Sequence, residues 1–375
     1  MSIRTYQVCT RCVMDTSAPE ITFDENGICN FCREFLEKSS HVLFMDEAER
    51  RGRREAYIAR VKADGRGKKY DCIIGLSGGV DSSWALYLAV KHDLRPLAVH
   101  MDNGWDTELA QNNIENLVQK LDVDLHTHVI DWDEYRELMQ AFFKADVIDV
   151  ELLYDNAMLA VNYGQARKWS VRHILAGTNT ATEGMAMPRE WNWLKFDARN
   201  IRALWGRFGD GSRIRTLPTI GVAGYIYCEF IRGIKWSNFL DYFNYNKAES
   251  LRILKEEMGY KPYPYKHYES VFTRFYQGYI LPRKFSVDKR RLHLGTLVVS
   301  GQMKREEALA LLEKIPYPSE TDQEADIHYF LKKMGWSRGD LETYLARPGK
   351  PHSIYGTEKK LMSVASSFYR TFVKR

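Results

Sequence analysis

The chain is expected to be an α/β protein on a doubly wound parallel sheet, with a small cysteine-rich unit before the sheet and a helical region after it. Three observations predict this. Strand-length apolar runs alternate with helical segments between Cys72 and Ala176, two Cys-x-x-Cys pairs precede the first run, and polar residues able to do chemistry cluster where the runs end. In an open parallel sheet those carboxyl ends are where ligands bind.

The cysteine-rich unit occupies residues 1–40. Cys9-Thr10-Arg11-Cys12 and Cys29-Asn30-Phe31-Cys32 are separated by sixteen residues. Each pair makes a tight knuckle, and two knuckles give the tetrahedral S4 set that zinc takes, so Cys9, Cys12, Cys29 and Cys32 are the expected ligands of a structural Zn2+. Asp24-Glu25-Asn26-Gly27 reads as a hairpin turn carrying the second knuckle. A pair of redox motifs would need a βαβ context that this segment lacks. Residues 41–69 then read as a basic linking helix with Tyr57, Ile58 and Val61 on one face; an arm for nucleic acid is the alternative reading.

Asp71-Cys72-Ile73-Ile74-Gly75-Leu76 is a buried strand, Ser77-Gly78-Gly79-Val80-Asp81-Ser82-Ser83 a glycine turn, and Trp84 to Lys91 a helix. The glycines let backbone approach an anion, Ser77, Ser82 and Ser83 offer hydroxyls, and the helix start offers free N–H groups and partial positive charge. The pattern is a pyrophosphate cradle. Asp81 would repel phosphate unless a divalent cation lay between them, so Mg2+ is expected on Asp81.

A second strand follows over 95–101, ending in Asp102-Asn103-Gly104, then a helix over 109–121, a third strand over 123–130, helices over 133–145 and 156–169, and a fourth strand over 173–176 ending in Gly177-Thr178-Asn179. Residues 70–190 are therefore expected to form the nucleotide-type α/β domain. His126 and His128 share one face of the third strand but have no third ligand nearby, which leaves them as core or surface histidines. Residues 191–300 depart from the βαβ rhythm and carry many aromatics, among them Trp191, Trp193, Trp205, Trp236 and Tyr245; they read as a cap over the site. Within them, 263–291 gathers cations including Lys266, His267, Arg274, Lys284 and Lys289. A cradle without a loop lysine must neutralise departing pyrophosphate from elsewhere, and Lys284 and Lys289 are the expected source. Residues 301–375 read as helices over 302–314, 320–334, 340–346 and 359–374.

A net charge of +5 over 375 residues is mild and does not argue for nucleic acid. The beginning Met1-Ser2-Ile3-Arg4-Thr5 has no signal-peptide character, and the least charged stretch, Thr216 to Cys228, is short of the roughly twenty residues that a spanning helix needs. Paired cysteines fit a reducing compartment, so no membrane span and a cytoplasmic location are expected.

Ser-Gly-Gly-Val-Asp-Ser-Ser resembles the signature of the PP-loop ATP pyrophosphatases, and differs from Gly-x-x-x-x-Gly-Lys-Ser/Thr in having no lysine after the glycines. That resemblance implies cleavage of ATP between the α- and β-phosphates. It implies nucleotide contacts from Ser77 to Ser83, at His100, Met101, Asp102 and Asn103, and at Gly177 and Thr178, with Asn179 and Glu183 beside the reacting centre. A turn at Asp102-Asn103-Gly104 and a helix cap at Thr180-Ala181-Thr182-Glu183 are the plainer readings of those two segments.

Taken with Cys9-Thr10-Arg11-Cys12-Val13-Met14-Asp15-Thr16, the second cysteine pair, Gly177-Thr178-Asn179 through Glu183-Gly184, and Phe285-Ser286-Val287-Asp288-Lys289-Arg290-Arg291, the chain resembles the N-acetyl sugar amidotransferases of O-antigen and pseudaminic or legionaminic acid pathways over essentially its whole length. The resemblance implies an acetamido sugar or sugar nucleotide as substrate, converted to an acetamidino sugar through an O-adenylated imidate attacked by ammonia. Ser2, not Cys, follows Met1, and Cys72 and Cys228 lack a nucleophile elbow, so no glutaminase is legible. The resemblance assigns ammonia supply to a glutaminase and synthase-barrel pair like those of the histidine pathway. A tRNA 2-thiolase and a non-catalytic scaffold that binds RNA or a partner enzyme are the alternative readings.

Overall fold

Cys72–Gly75 (β1) carries no charge and is flanked by segments of the same kind, so it can be buried on both faces, and it lies at the centre of a five-stranded sheet. The computed structural model describes residues 5–263 and 268–372; Met1 to Arg4, Lys266, His267 and Lys374 lie outside them. The other strands are Pro96–Asp102 (β2), Leu125–Val129 (β3), His173–Ala176 (β4) and Lys235–Asn238 (β5), in the order β3-β2-β1-β4-β5, all parallel. Ile73 stands opposite Leu97 and Ile174. The period of two divides the core: Ile73, Leu97, Val99 and Ile174 face one hydrophobic cluster, Cys72, Ile74, Ala98 and Leu175 the other.

Helices Asn30–Leu43 (α1) and Glu47–Asp64 (α2) precede the sheet; Val80–Lys91 (α3), Glu108–Leu121 (α4), Trp132–Ala145 (α5) and Leu152–Lys168 (α6) cross between its strands. Short side chains set several starts: Asp46, Thr107 and Asp131 each accept the backbone N–H three residues on. In α2, Tyr57, Ile58 and Val61 are buried, and Arg50 is 5% exposed, its guanidinium donating to the carbonyls of Val42, Met45, Asp241 and Phe243. The helix is packed through one of its own arginines.

Four strands are legible in the sequence, and β5 is not. It is a four-residue edge strand, Lys-Trp-Ser-Asn, without an apolar run, and it is reached by a long excursion that holds Thr180–Glu183 (α7), Ala198–Phe208 (α8) and Val222–Ile226 (α9). The aromatic segment expected as a cap thus supplies part of the sheet. Asn156 of α6 ties the excursion down: its amide donates to the carbonyls of Lys195 and Ile220, both at 2.7 Å, and accepts from Ile220 N–H. Beyond β5 come Lys247–Met258 (α10), Val271–Phe275 (α11), a π turn, Leu281–Phe285 (α12), Arg290–Val299 (α13), Arg305–Glu313 (α14), Glu320–Met334 (α15), Arg338–Ala346 (α16) and Lys359–Phe372 (α17). Among the described residues no helix is long and apolar enough to cross a membrane.

The C-terminal region is locked to the excursion through His352. Its Nε2 accepts from Asp149 N–H at 3.1 Å and its Nδ1 lies 2.7 Å from Asn200 Oδ1, so the neutral ring donates on one side and accepts on the other. Burial pushes its pKa down to about 4. A histidine depressed in the folded state binds protons better unfolded, so its contribution is complete above its ordinary value and falls away as pH drops toward the folded one. Between pH 8 and 5 the loss should be about 2 kcal/mol. Urea midpoints for the native chain and His352→Gln should diverge less at pH 5 than at pH 8; parallel pH profiles would remove the residue from the account.

Candidate active site

At the switch point, between the carboxyl ends of β1 and β4, a cavity of about 450 Å3 opens. Gly75 and Leu76 of β1, Val99 and Met101 of β2, and Ala176, Gly177 and Thr178 at the end of β4 border it. Its phosphate end is the loop from Ser77 to the start of α3. Gly78 has φ of +79°, and an added Cβ would sit 2.9 Å from the Ala110 carbonyl oxygen. Gly177 passes so close to α3 that a Cβ there would lie 2.6 Å from Ser82 N. Both positions require glycine. The loop is held from outside by Tyr260 and Tyr263, whose hydroxyls donate to the Gly78 carbonyl at 2.9 and 3.0 Å, and from inside by Gly79 N–H to Ser77 Oγ at 3.3 Å.

No side chain caps α3 at Gly79, so its first N–H groups are left for a ligand where the helix dipole is positive. Asp81, Glu183 and Glu269 line the same cavity, and among the described lining residues Lys247 is the single lysine or arginine. Three carboxylates facing one lysine repel a bare triphosphate, whereas a divalent cation between them reconciles the two, and Asp81 in the first turn of α3 is placed to hold it. Asp81 Oδ1 accepts a hydrogen bond from Tyr245 OH. Burial first, then the Asp81 carboxylate, push Tyr245 well above its ordinary range, so it stays protonated and donates.

Ser77, Gly79, Val80, Asp81, Ser82, Met101, Gly177, Thr178 and Glu183 line the cavity as expected positions. Ser83 does not: it is fully buried behind the helix start, its hydroxyl without a hydrogen-bond partner among the described residues. Of the four residues expected on the nucleoside, Met101 reaches the cavity and three side chains turn inward. His100 lies between the Leu76 carbonyl at 2.9 Å and Asp106 at 3.0 Å; Asp102 accepts from Gly104 N–H; Asn103 accepts from Trp105 N–H and donates to Tyr135. Burial lowers the His100 pKa, but the Asp106 carboxylate outweighs it and the ring is left raised. Asn179 caps α7, accepting from Thr182 N–H at 2.9 Å, so the cap reading describes its side chain, while Glu183 at the other end of that short helix lines the cavity.

Lys284 lies elsewhere. Its ammonium is fully buried, 3.2 Å from Asp146 and 2.6 Å from the carbonyls of Tyr344 and Arg347, and burial lowers its pKa. It joins the C-terminal helices to the end of α5 and does not line this cavity, contrary to the sequence expectation. Lys289 is buried against Glu151 at 2.7 Å and does not line this cavity. The residues that sequence reading missed are Tyr154, Met158 and Asn162 of α6, Lys247 and Leu251 of α10, and Glu269. None sits in a motif; they come together because α6 and α10 flank β1 and α3. Trp236 lines the cavity from β5, and Thr178 Oγ1 donates to Asn238 Oδ1 at 2.8 Å, binding the fourth strand's end to the fifth.

The four cysteines of the N-terminal unit form one buried cluster, their sulfurs all within 4.8 Å, and His126 and His128 belong to no such group among the described residues. Cys9 and Cys32 sulfurs are 3.8 Å apart, as are those of Cys12 and Cys29. A tetrahedron of thiolates about 2.3 Å from zinc has edges of about 3.8 Å, and a disulfide would need about 2.05 Å. The N–H groups of Cys12 and Cys29 donate to Cys9 Sγ, and that of Met14 to Cys12 Sγ, offsetting negative charge. The set fits Zn2+ with no open position. Arg305 donates to the carbonyls of Cys9 and Cys12, and Arg291 pairs with Asp15 at 3.0 Å, fastening the unit to α13 and α14.

Residues 57–186 match the NAD synthase family model, and residues 269–369 match the model described as LPS biosynthesis protein WbpG-like, C-terminal domain. Among solved structures, NMN synthetase from Francisella tularensis is 15% identical, covering 56% of this chain and 98% of its own, with a TM-score of 0.28. The NH3-dependent NAD synthetase from Campylobacter jejuni, in complex with nitrate, is 14% identical, covering 74% of this chain and 100% of its own, with a TM-score of 0.31. No curated protein matches the chain. The switch-point cavity thus falls largely within an NAD synthase-like domain that is followed by a WbpG-like LPS biosynthesis C-terminal domain, in keeping with the N-acetyl sugar amidotransferases that the chain's motifs resemble.

Proposed function

We propose that the chain is an ATP-dependent, AMP-forming amidotransferase that converts the N-acetyl group of a sugar to an acetamidino group in surface glycan synthesis. The observation that carries this reading is the acidic cavity at an uncapped helix start, with no loop lysine, in a chain whose C-terminal region is WbpG-like. The adenosine occupies the apolar part of the cavity between Met101, Met158 and Trp236, and the phosphates run over Gly79 toward Asp81. Mg2+, held by Asp81, would screen charge on both phosphate fragments.

The acetamido oxygen attacks the α-phosphorus, the bond to the bridging oxygen breaks, and pyrophosphate leaves. Ammonia adds to the imidate carbon, the carbon–oxygen bond breaks with AMP departing, and loss of one proton leaves the amidinium. An amide oxygen is a poor leaving group; as an adenylate it is a good one. We assign charge relief on pyrophosphate to Lys247, the role expected of Lys284 and Lys289, and removal of the proton from incoming ammonium to Glu183, with Asn179 positioning α7. The functional division is residues 1–40, 41–69, 70–190, 191–300 and 301–375, with the fourth sharing the sheet through β5.

Ammonia comes from a glutaminase and synthase-barrel pair of the histidine-pathway kind. In support, Cys72 is fully buried with its thiol pushed well up by burial, and Cys228 is buried and raised for the same reason, so neither is a ready nucleophile for a glutaminase or a thiolase. The test is AMP and pyrophosphate release with ammonium chloride, against UDP-diacetamido sugars, pseudaminic and legionaminic acids, and tRNA. One sugar should turn over and gain an amidino nitrogen in its mass; stimulation by tRNA alone would contradict the reading.

A further inference from the structure

A second cavity, of about 230 Å3, lies beside the nucleotide cavity, and Lys247 lines both. Apart from Lys247 and Tyr268 its described wall falls between Arg274 and Pro316, inside the WbpG-like region and outside the NAD synthase match. The two cavities differ in charge. The nucleotide cavity presents Asp81, Glu183 and Glu269, whereas the second presents Lys247, Arg274, Lys289, Arg290, His293 and Lys314, and no carboxylate among its described lining residues.

The acids that balance three of these cations do not line the cavity. Arg274 makes a two-pronged bond to Asp326, 2.5 Å on each prong; Lys289 meets Glu151 at 2.7 Å; Arg290 meets Asp288 at 2.7 Å. Asp326 and Glu151 are buried. Cations held by carboxylates outside the lining, as Arg274 and Lys289 are by the buried Asp326 and Glu151, are preorganised donors at a cavity. The rest of the wall is largely apolar, with Leu294, Leu297, Leu311 and Ile315. A cavity that offers both cations and apolar surface suits a ring with a C–H face and an anionic group.

We propose that this cavity binds the anionic portion of the second substrate, a sugar carrying a carboxylate or a diphosphate, and sets specificity by charge while the neighbouring cavity holds the nucleotide. The inference rests on the amidotransferase reading for the identity of that substrate, and on the cavity alone for its charge. Lys247 stands where the two ligands would meet.

The probes are glucuronate, for a sugar carboxylate, and UDP, for a diphosphate, titrated by calorimetry into the native chain already saturated with a non-hydrolysable ATP analogue. One of them should bind, and which one names the source of the charge. Leu297→Trp, which fills the cavity, and Lys314→Gln, at its exposed edge, should each weaken that probe by about tenfold, as for loss of one charge-assisted contact, and leave the ATP analogue unaffected. If neither probe binds, if both are expelled by the ATP analogue, or if both variants bind as the native chain does, the inference is overturned. Binding of a probe without turnover of any acetamido sugar would sustain the anion site and overturn the amidotransferase reading instead.

Discussion

Asp81→Asn should lower AMP release by at least about a thousandfold, the several kcal/mol that a divalent cation supplies to a transferring phosphoryl group. Asparagine keeps the shape and can still accept the hydrogen bond that Tyr245 donates, so the thermal midpoint should stay near that of the native chain. What it removes is the charge that draws a cation to the uncapped start of α3. Raising Mg2+ should recover a fraction of the rate. Tyr245→Phe should do the reverse to the metal, since a neutral phenol bonded to Asp81 competes with the cation: Mg2+ should bind more tightly by equilibrium dialysis while the fold persists. An Asp81→Asn chain with normal turnover would mean that the carboxylate is only a helix-start residue.

Cys29→Ser should reduce zinc from one ion per chain to a trace and lower the melting temperature by many degrees. Structural zinc sites hold roughly 10–16 kcal/mol of binding energy that is also folding energy. Here the consequence reaches the active site through packing. Phe35 of α1 lies against Gly184, where a Cβ would sit 2.6 Å from its ring, and Gly184 directly follows Glu183. Cys12 and Met14 pack against Gly295 of α13 beside Met185. Loss of the zinc unit should therefore weaken ATP binding as well as stability. Metal analysis by mass spectrometry together with a thermal melt checks both; a full complement of zinc on the serine variant would contradict the S4 assignment.

Much of this was legible in the chain because it depends on short-range chemistry. The Cys-x-x-Cys spacing fixes a knuckle, Ser77 to Ser83 spells a loop whose glycines have no substitutes, and the apolar runs within β1, β2 and β4 read as buried strands. Glu320–Met334 was readable to the residue because Ser319 caps it and Gly335, at φ of +67°, ends it. What was not legible depends on distant pairings. β5 has no pattern of its own and is a strand only because β4 offers it an edge. Lys284 and Lys247 are both lysines near helix ends, and nothing local says that one is buried on Asp146 and the other lines the switch-point cavity. Likewise Ser83 is spelled like Ser82, but falls one residue further round α3 and points into the core.

The central claim, activation of an amide oxygen by adenylation, is tested most directly by labelling that oxygen. An acetamido substrate carrying oxygen-18 in its carbonyl, turned over with ATP and ammonium, should deliver the label to the phosphate of AMP, leaving pyrophosphate and the amidino sugar unlabelled. AMP without the label, or label retained in the sugar, would contradict the account.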